Sequence, residues 1–202
     1  TGHVNCHETG AIEATGHKVC TAYSPDGKVT PAMVESVLAI HADGGEHMVS
    51  PRLVYISDTT EIGTVYTKAE LIALRHCCDE HGLLLFLDGA RLGSALTSPE
   101  NDLTLPELAA LTDVFTIGGT KNGTLFGEAV IMTVPCAHFR WHMKQRGGML
   151  AKGRLLGVQF LTILKDNLYF DIARHANEMA FRLRDGFLAL GYQFPVPSPS
   201  NQ

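Results

Sequence analysis

The chain has 202 residues, a formal net charge of -5 and a hydrophobic share of 45%. This suits one globular domain, or one and a fraction. The mild acidity and the absence of a basic run argue against nucleic acid as a partner, and no apolar run approaches the ~18 residues of a membrane span.

The opening Thr1-Gly2-His3-Val4-Asn5 does not read as a signal peptide, and the five cysteines (Cys6, Cys20, Cys77, Cys78, Cys136) include no CxxC pair. Free thiols in a reducing compartment, hence a soluble cytoplasmic chain, are expected. The chain starts without methionine and stops at Pro197-Ser198-Pro199-Ser200-Asn201-Gln202, just after an expected strand, which reads as a piece of a longer protein.

His3, Cys6, His7, His17 and Cys20 lie close together in the opening segment. Three readings stand: metal ligands, although the spacing matches no zinc signature; an imidazole face offered by His3 to a planar ligand; or turn and cap residues. Thr9 to Ala14 is expected as a short helix, and Lys18 to Tyr23 as a strand closed by the turn Ser24-Pro25-Asp26-Gly27.

Thr30-Pro31 starts a helix that Asp43-Gly44-Gly45 ends. Arg52 to Ser57 is a buried strand with Asp58-Thr59-Thr60-Glu61 at its mouth. A second helix runs from Thr67 to His81, with Thr67 and Glu70 as a capping box and Gly82 as its stop. Leu83 to Leu87 is apolar without alternation, as expected of a parallel strand covered on both faces, and it ends in Asp88. A helix from Leu105 to Leu111 and a strand from Asp113 to Ile117 follow. Glu128 to Val134 comes too soon for a crossover and should pair antiparallel.

From Cys136 to Lys165 the pattern is helical, broken at Arg146-Gly147-Gly148. It carries Arg140, Lys144, Arg146, Lys152 and Arg154, either a solvated face or an anion site. A helix over Leu168 to Leu190 and a strand at Tyr192 to Phe194 complete the reading. The expected fold is α/β and three-layered: a mostly parallel sheet with one antiparallel strand and helices on both faces. Ligands of such sheets bind beyond the carboxyl ends of the strands, where Asp58, Asp88 and Arg91 fall.

Lys121 lies in Gly118-Gly119-Thr120-Lys121-Asn122-Gly123, directly after a strand. Alone it is a loop lysine or a nucleophile. Together with Asp88 it makes a pair that fits pyridoxal phosphate, whose aldehyde condenses with an amine and whose ring nitrogen needs a carboxylate.

In order, Gly2-His3 with Glu8-Thr9-Gly10-Ala11, Thr60-Glu61-Ile62-Gly63-Thr64-Val65-Tyr66, His81 through Asp88-Gly89-Ala90-Arg91-Leu92, and Gly118 to Gly123 resemble the low-specificity threonine aldolases. These belong to the β-eliminating lyases among fold-type-I pyridoxal phosphate enzymes. The resemblance implies retro-aldol cleavage of β-hydroxy-α-amino acids such as threonine and allo-threonine to glycine and an aldehyde. Lys121 would form the internal aldimine and Asp88 would pair with the pyridinium nitrogen. His3 would stack on the ring and relay a proton from the substrate hydroxyl. Arg91 would lie near the substrate carboxylate, Thr120 near the cofactor phosphate, and Arg154 and Lys144 near a phosphate, that of a neighbouring subunit included.

The resemblance also implies a homodimer or homotetramer. It makes residues 1–165 most of a cofactor-binding large domain, and 166–202 a linking helix with the start of a small C-terminal domain. The alternatives are β-elimination on another amino acid, a non-catalytic metal-binding or interaction domain, and an inactive fragment.

Overall fold

The structure, a computed structural model, describes residues 2–202. Its helices are α1 (His3–Cys6), α2 (Pro31–Asp43), α3 (Lys68–His81), α4 (Leu92–Leu96), α5 (Leu105–Leu111), α6 (Phe139–Gln145), α7 (Arg154–Leu164) and α8 (Leu168–Ala189). The strands β1 (Leu53–Ser57), β2 (Leu84–Asp88), β3 (Val114–Ile117) and β4 (Ala129–Met132) form one sheet in that spatial order. The first three are parallel and β4 turns back antiparallel to β3, as the short connection requires. The fold is thus the mixed α/β arrangement expected, with α3 as the crossover from β1 to β2.

Local chemistry sets the helix ends. The Thr67 side chain accepts the Glu70 amide while the Glu70 carboxylate accepts the Thr67 amide, and Gly82 closes α3 in the left-handed region at φ +62°. The same reciprocal cap, formed by Thr104 and Glu107, starts α5. An ion pair of 2.7 Å between Lys68 and Glu107 ties the two starts together. At the other end of the sheet Arg75 reaches Asp113 at 2.6 Å, and Asp113 also accepts the Leu85 amide at 2.7 Å, which fixes α3, β2 and the entry to β3.

Alternate strand residues Val54, Ile56, Leu85, Leu87, Phe115 and Ile117 are buried with Leu71, Leu74, Cys78 and Leu108 in one core. Each fully buried aliphatic side chain contributes about 1.5–3 kcal/mol. The neighbouring face is covered less at its amino end, where Leu53 and Leu84 stay 45% and 44% exposed. The apolar run of β2 is therefore not sheltered on both faces along its whole length. Helix α8 is fastened to α4: the Gly93 amide donates to the Tyr169 hydroxyl at 3.0 Å, and Asn177 Nδ2 donates to the Ser94 carbonyl at 2.9 Å.

Three expected elements are corrected. Residues 18–23 are not a strand, because no other strand pairs with them; Cys20 instead packs its Sγ 3.3 Å from His41 Nε2. Thr9 to Ala14 is not a helix: Thr9 and Gly10 take positive φ of +53° and +70°, leaving turns and a single 3-10 turn at Glu13–Thr15. Tyr192 to Phe194 is not a strand either. The Tyr192 ring packs edge-on against Phe187 at 5.6 Å, and the residues that follow fold back so that Ser200 Oγ donates to the Gly63 carbonyl at 2.9 Å. Helices α1 and α4, of 4 and 5 residues, were too short to show a period. No helix among the described residues is long and apolar enough to cross a membrane.

Candidate active site

The carboxyl ends of the parallel strands β1, β2 and β3 lie along one edge of the sheet, and Asp88 stands at the end of β2. Parallel pairing sets Tyr55 beside Phe86 and Ser57 beside Asp88. The Tyr55 ring stacks on Phe86 at 5.2 Å with an interplanar angle of 7°, and its hydroxyl donates to Asp88 Oδ2. The Ala90 amide donates to Asp88 Oδ1 at 2.9 Å. Both carboxylate oxygens are thereby oriented. Burial pushes the Tyr55 phenol well above its ordinary pKa, and the bond to Asp88 adds to this, so Tyr55 remains a donor through neutral pH.

The carboxylates of Glu61 and Glu8 also raise the Tyr55 pKa, which places them around the same phenol. Both belong to the surroundings of His3. His3 Nδ1 lies 2.8 Å from Glu8 and Nε2 lies 3.6 Å from Glu61, with the His7 ring 5.0 Å away. The carboxyl edge of the sheet thus gathers His3, Glu8, Glu61, Tyr55 and Asp88 along one wall.

The lysine turn is joined to this wall through the backbone. The Gly118 amide donates to the Gly89 carbonyl at 2.8 Å, and the Gly89 amide donates to Thr116 Oγ1 at 2.8 Å. Approach this close needs glycine on both sides: a Cβ on Gly89 would come 2.0 Å from the Thr116 carbonyl oxygen, and one on Gly118 would come 2.2 Å from that of Ala90. Glu128, just ahead of β4, clamps the turn by accepting the Gly119 amide at 2.6 Å and the Thr120 hydroxyl at 2.9 Å. Asn122 is buried and donates to the Tyr169 carbonyl at 2.8 Å. Lys121, between Thr120 and Asn122, extends an exposed side chain and forms no hydrogen bond or ion pair among the described residues.

The other sequence candidates fall as follows. Arg91 is half-buried at the head of α4, and its side chain has no polar partner among the described residues. Thr120 carries a single hydroxyl proton, which is directed to Glu128. Arg154 begins α7, beside the turn: Gln159 of α7 accepts the Leu125 amide at 2.7 Å. Lys144 is exposed on α6, and neither it nor Arg154 touches Asp88 or His3 through a hydrogen bond or ion pair. The five metal candidates of the opening segment do not assemble: His3 is engaged with Glu8, and Cys20 with His41.

Tyr55 and Glu128 were missed in the sequence. A tyrosine inside an otherwise aliphatic strand is a signal, since its buried hydroxyl needs an acceptor. An acid following a glycine-rich turn is a weaker one.

A family profile described as "Beta-eliminating lyase" matches residues 1–202. The chain belongs to the β-eliminating lyase family. It is 38% identical over 187 residues to a low specificity L-threonine aldolase of a Pseudomonas species, covering 89% of this chain and 53% of that protein. It is 35% identical over 184 residues to the enzyme of the same name from Pseudomonas aeruginosa, again covering 89% and 53%. The solved structure of a Leishmania major threonine aldolase superposes with a TM-score of 0.93 at 56% identity, over 98% of this chain and 58% of that one. The chain spans about half the length of the curated relatives it matches.

Proposed function

We propose that this β-eliminating lyase family chain carries the cofactor-binding part of a pyridoxal phosphate-dependent aldolase that cleaves β-hydroxy-α-amino acids such as threonine and allo-threonine to glycine and an aldehyde. The observation that supports it most is the Asp88 carboxylate, oriented by Tyr55 and Ala90 and joined through Gly89 and Gly118 to the Lys121 turn.

The donor set fits the cofactor: an oriented carboxylate for the ring nitrogen, a primary amine for the aldehyde, and an imidazole on the same wall. Asp88, Lys121 and His3 would hold the ring. Arg154, Lys144 and Thr120 would serve the phosphate, with Glu128 competing for the Thr120 hydroxyl. When bound, pyridoxal phosphate supplies an electron sink conjugated with the substrate nitrogen.

The protein's own part is positioning and proton movement. Arg91 binds the substrate carboxylate and so sets which bond at Cα is presented for cleavage. His3 accepts the β-hydroxyl proton at Nε2, since Glu8 occupies Nδ1. Glu61, 3.6 Å from Nε2, is the next oxygen to which that proton can pass. Asp88 would hold the proton on the ring nitrogen of the bound cofactor. A homodimer or homotetramer is part of the reading: Leu125, Trp141, Leu155 and Leu161, all near the cationic α6–α7 segment, are 86%, 70%, 61% and 71% exposed, as side chains awaiting a partner subunit are. The five free thiols are in keeping with the reducing, cytoplasmic setting that belongs to this reading.

The test is spectroscopic. The protein with added pyridoxal phosphate should show a visible absorption band, convertible by borohydride into a covalent adduct, and Lys121→Ala should lose both. An unchanged band in that variant sinks the assignment. In a panel of threonine, allo-threonine, serine and aromatic amino acids, the β-hydroxy members threonine and allo-threonine should yield glycine and an aldehyde, whereas pyruvate and ammonia from serine or the aromatic amino acids would point to β-elimination.

A further inference from the structure

Helices α2 and α3 lie side by side, and the groove between them has a volume of about 430 Å³ lined in part by Glu35, His76, Cys77 and Glu80. Cys77 and His81 stand one helical turn apart on α3 and so share a face. Glu35 of α2 points into the same space. One ligand atom from each of Glu35, Cys77 and His81 lies within 4.8 Å of both others. None of the three side chains makes a hydrogen bond or ion pair among the described residues, although Cys77 is only 3% exposed.

We propose that Glu35, Cys77 and His81 bind a divalent zinc-like cation that clips α2 to α3. A thiolate, an imidazole and a carboxylate form a ligand set that zinc takes, at about 2.3 Å from sulfur and about 2.0–2.2 Å from nitrogen and oxygen. Glu35 and His81 are exposed and free to turn, while buried Cys77 supplies the fixed point. Water fills the fourth position. On binding, the Cys77 thiol gives its proton to solvent and a metal–sulfur bond forms, with no change of oxidation state.

The placement makes the role structural. Helix α3 runs back from the carboxyl edge of the sheet, and His81 leads within three residues into Leu84 at the start of β2. The cluster therefore sits at the opposite end of the sheet from Asp88. Helix α2 gains most, because its start at Thr30 has no side-chain cap and it buries only Val34.

The experiment is a titration of the reduced, chelator-treated protein with Co²⁺, with pyridoxal phosphate present or absent. A thiolate-to-cobalt charge-transfer band in the near ultraviolet should saturate at about one equivalent and be displaced by Zn²⁺. Cys77→Ser should abolish it. His81→Ala and Glu35→Ala, both on the surface, should leave the fold intact and weaken binding about tenfold or more. Zinc should also raise the melting temperature of the wild-type chain and not that of His81→Ala. The proposal is overturned by the absence of a band, by a band that survives Cys77→Ser or vanishes instead in Cys20→Ser, or by unchanged affinity in both surface variants.

Discussion

The hydroxyl of Tyr55 donates to Oδ2 of Asp88 from the adjacent strand, while the ring beneath it lies flat on Phe86. A carboxylate that is to hold a proton on a ring nitrogen must keep its direction, and this bond supplies part of that constraint. Tyr55→Phe keeps the stacked ring and removes the donor. Stability should fall by about 1–2 kcal/mol in urea unfolding. The affinity for pyridoxal phosphate, measured by titration, should weaken about tenfold. Unchanged affinity would mean that the Ala90 amide alone suffices.

Glu128→Ala frees the Gly119 amide and the Thr120 hydroxyl together. The site is partly open to water, so the cost in stability should be about 1 kcal/mol. The larger effect is expected on the turn. Borohydride trapping at Lys121 should slow, and the amides of Gly119 to Asn122 should exchange hydrogen faster than in the wild type.

Asp58 offers a pH signature. It is 2% exposed, and burial pushes its carboxyl up to about 8, only partly offset by the Tyr66 amide that it accepts at 3.4 Å. In the unfolded chain it titrates near ~3.9. Between these values the native state holds a proton that the unfolded state lacks. Stability is therefore fully present below pH ~4, falls as pH rises through the window, and levels off above about 8. Asp58→Asn should flatten the denaturation midpoint across that window; a slope as steep as the wild type's would show that other groups set it.

Gly118→Ala should be among the most damaging single changes in the sheet. The new methyl would sit 2.2 Å from the Ala90 carbonyl oxygen, which is backbone and cannot rotate away. A loss of about 3 kcal/mol or more is expected in thermal or urea unfolding, together with loss of the visible cofactor band. Retention of both would show that β2 and β3 can separate without harm.

Most of the frame was readable because period and punctuation agree. Thr67, Glu70 and Gly82 mark α3 at both ends, and the brevity of the link from Ile117 to Ala129 forces an antiparallel β4. What could not be read depends on long-range partners. Lys18 to Tyr23 has the composition of a strand, yet a strand exists only where another pairs with it. Tyr192 to Phe194 fails for the same reason. At the site, Asp88 and Lys121 were visible as residues after apolar runs. Tyr55 was hidden because its purpose appears only when Ser57 comes level with Asp88 in the sheet. The Glu35, Cys77 and His81 cluster needs two helices to meet, and spacing along the chain shows only the α3 half.

The hydrogen bonds around the lysine turn carry a mechanical consequence. With the Gly118 amide bonded to Gly89, the Gly119 amide to Glu128 and the Asn122 side chain to Tyr169, the chain on both sides of Lys121 is anchored to three separate parts of the fold. The turn is a fixed pivot, and the reach of the amine comes from its own methylene stem. Engaging and releasing a ligand at that nitrogen is then a swing of one side chain in place, with no loop to open and close.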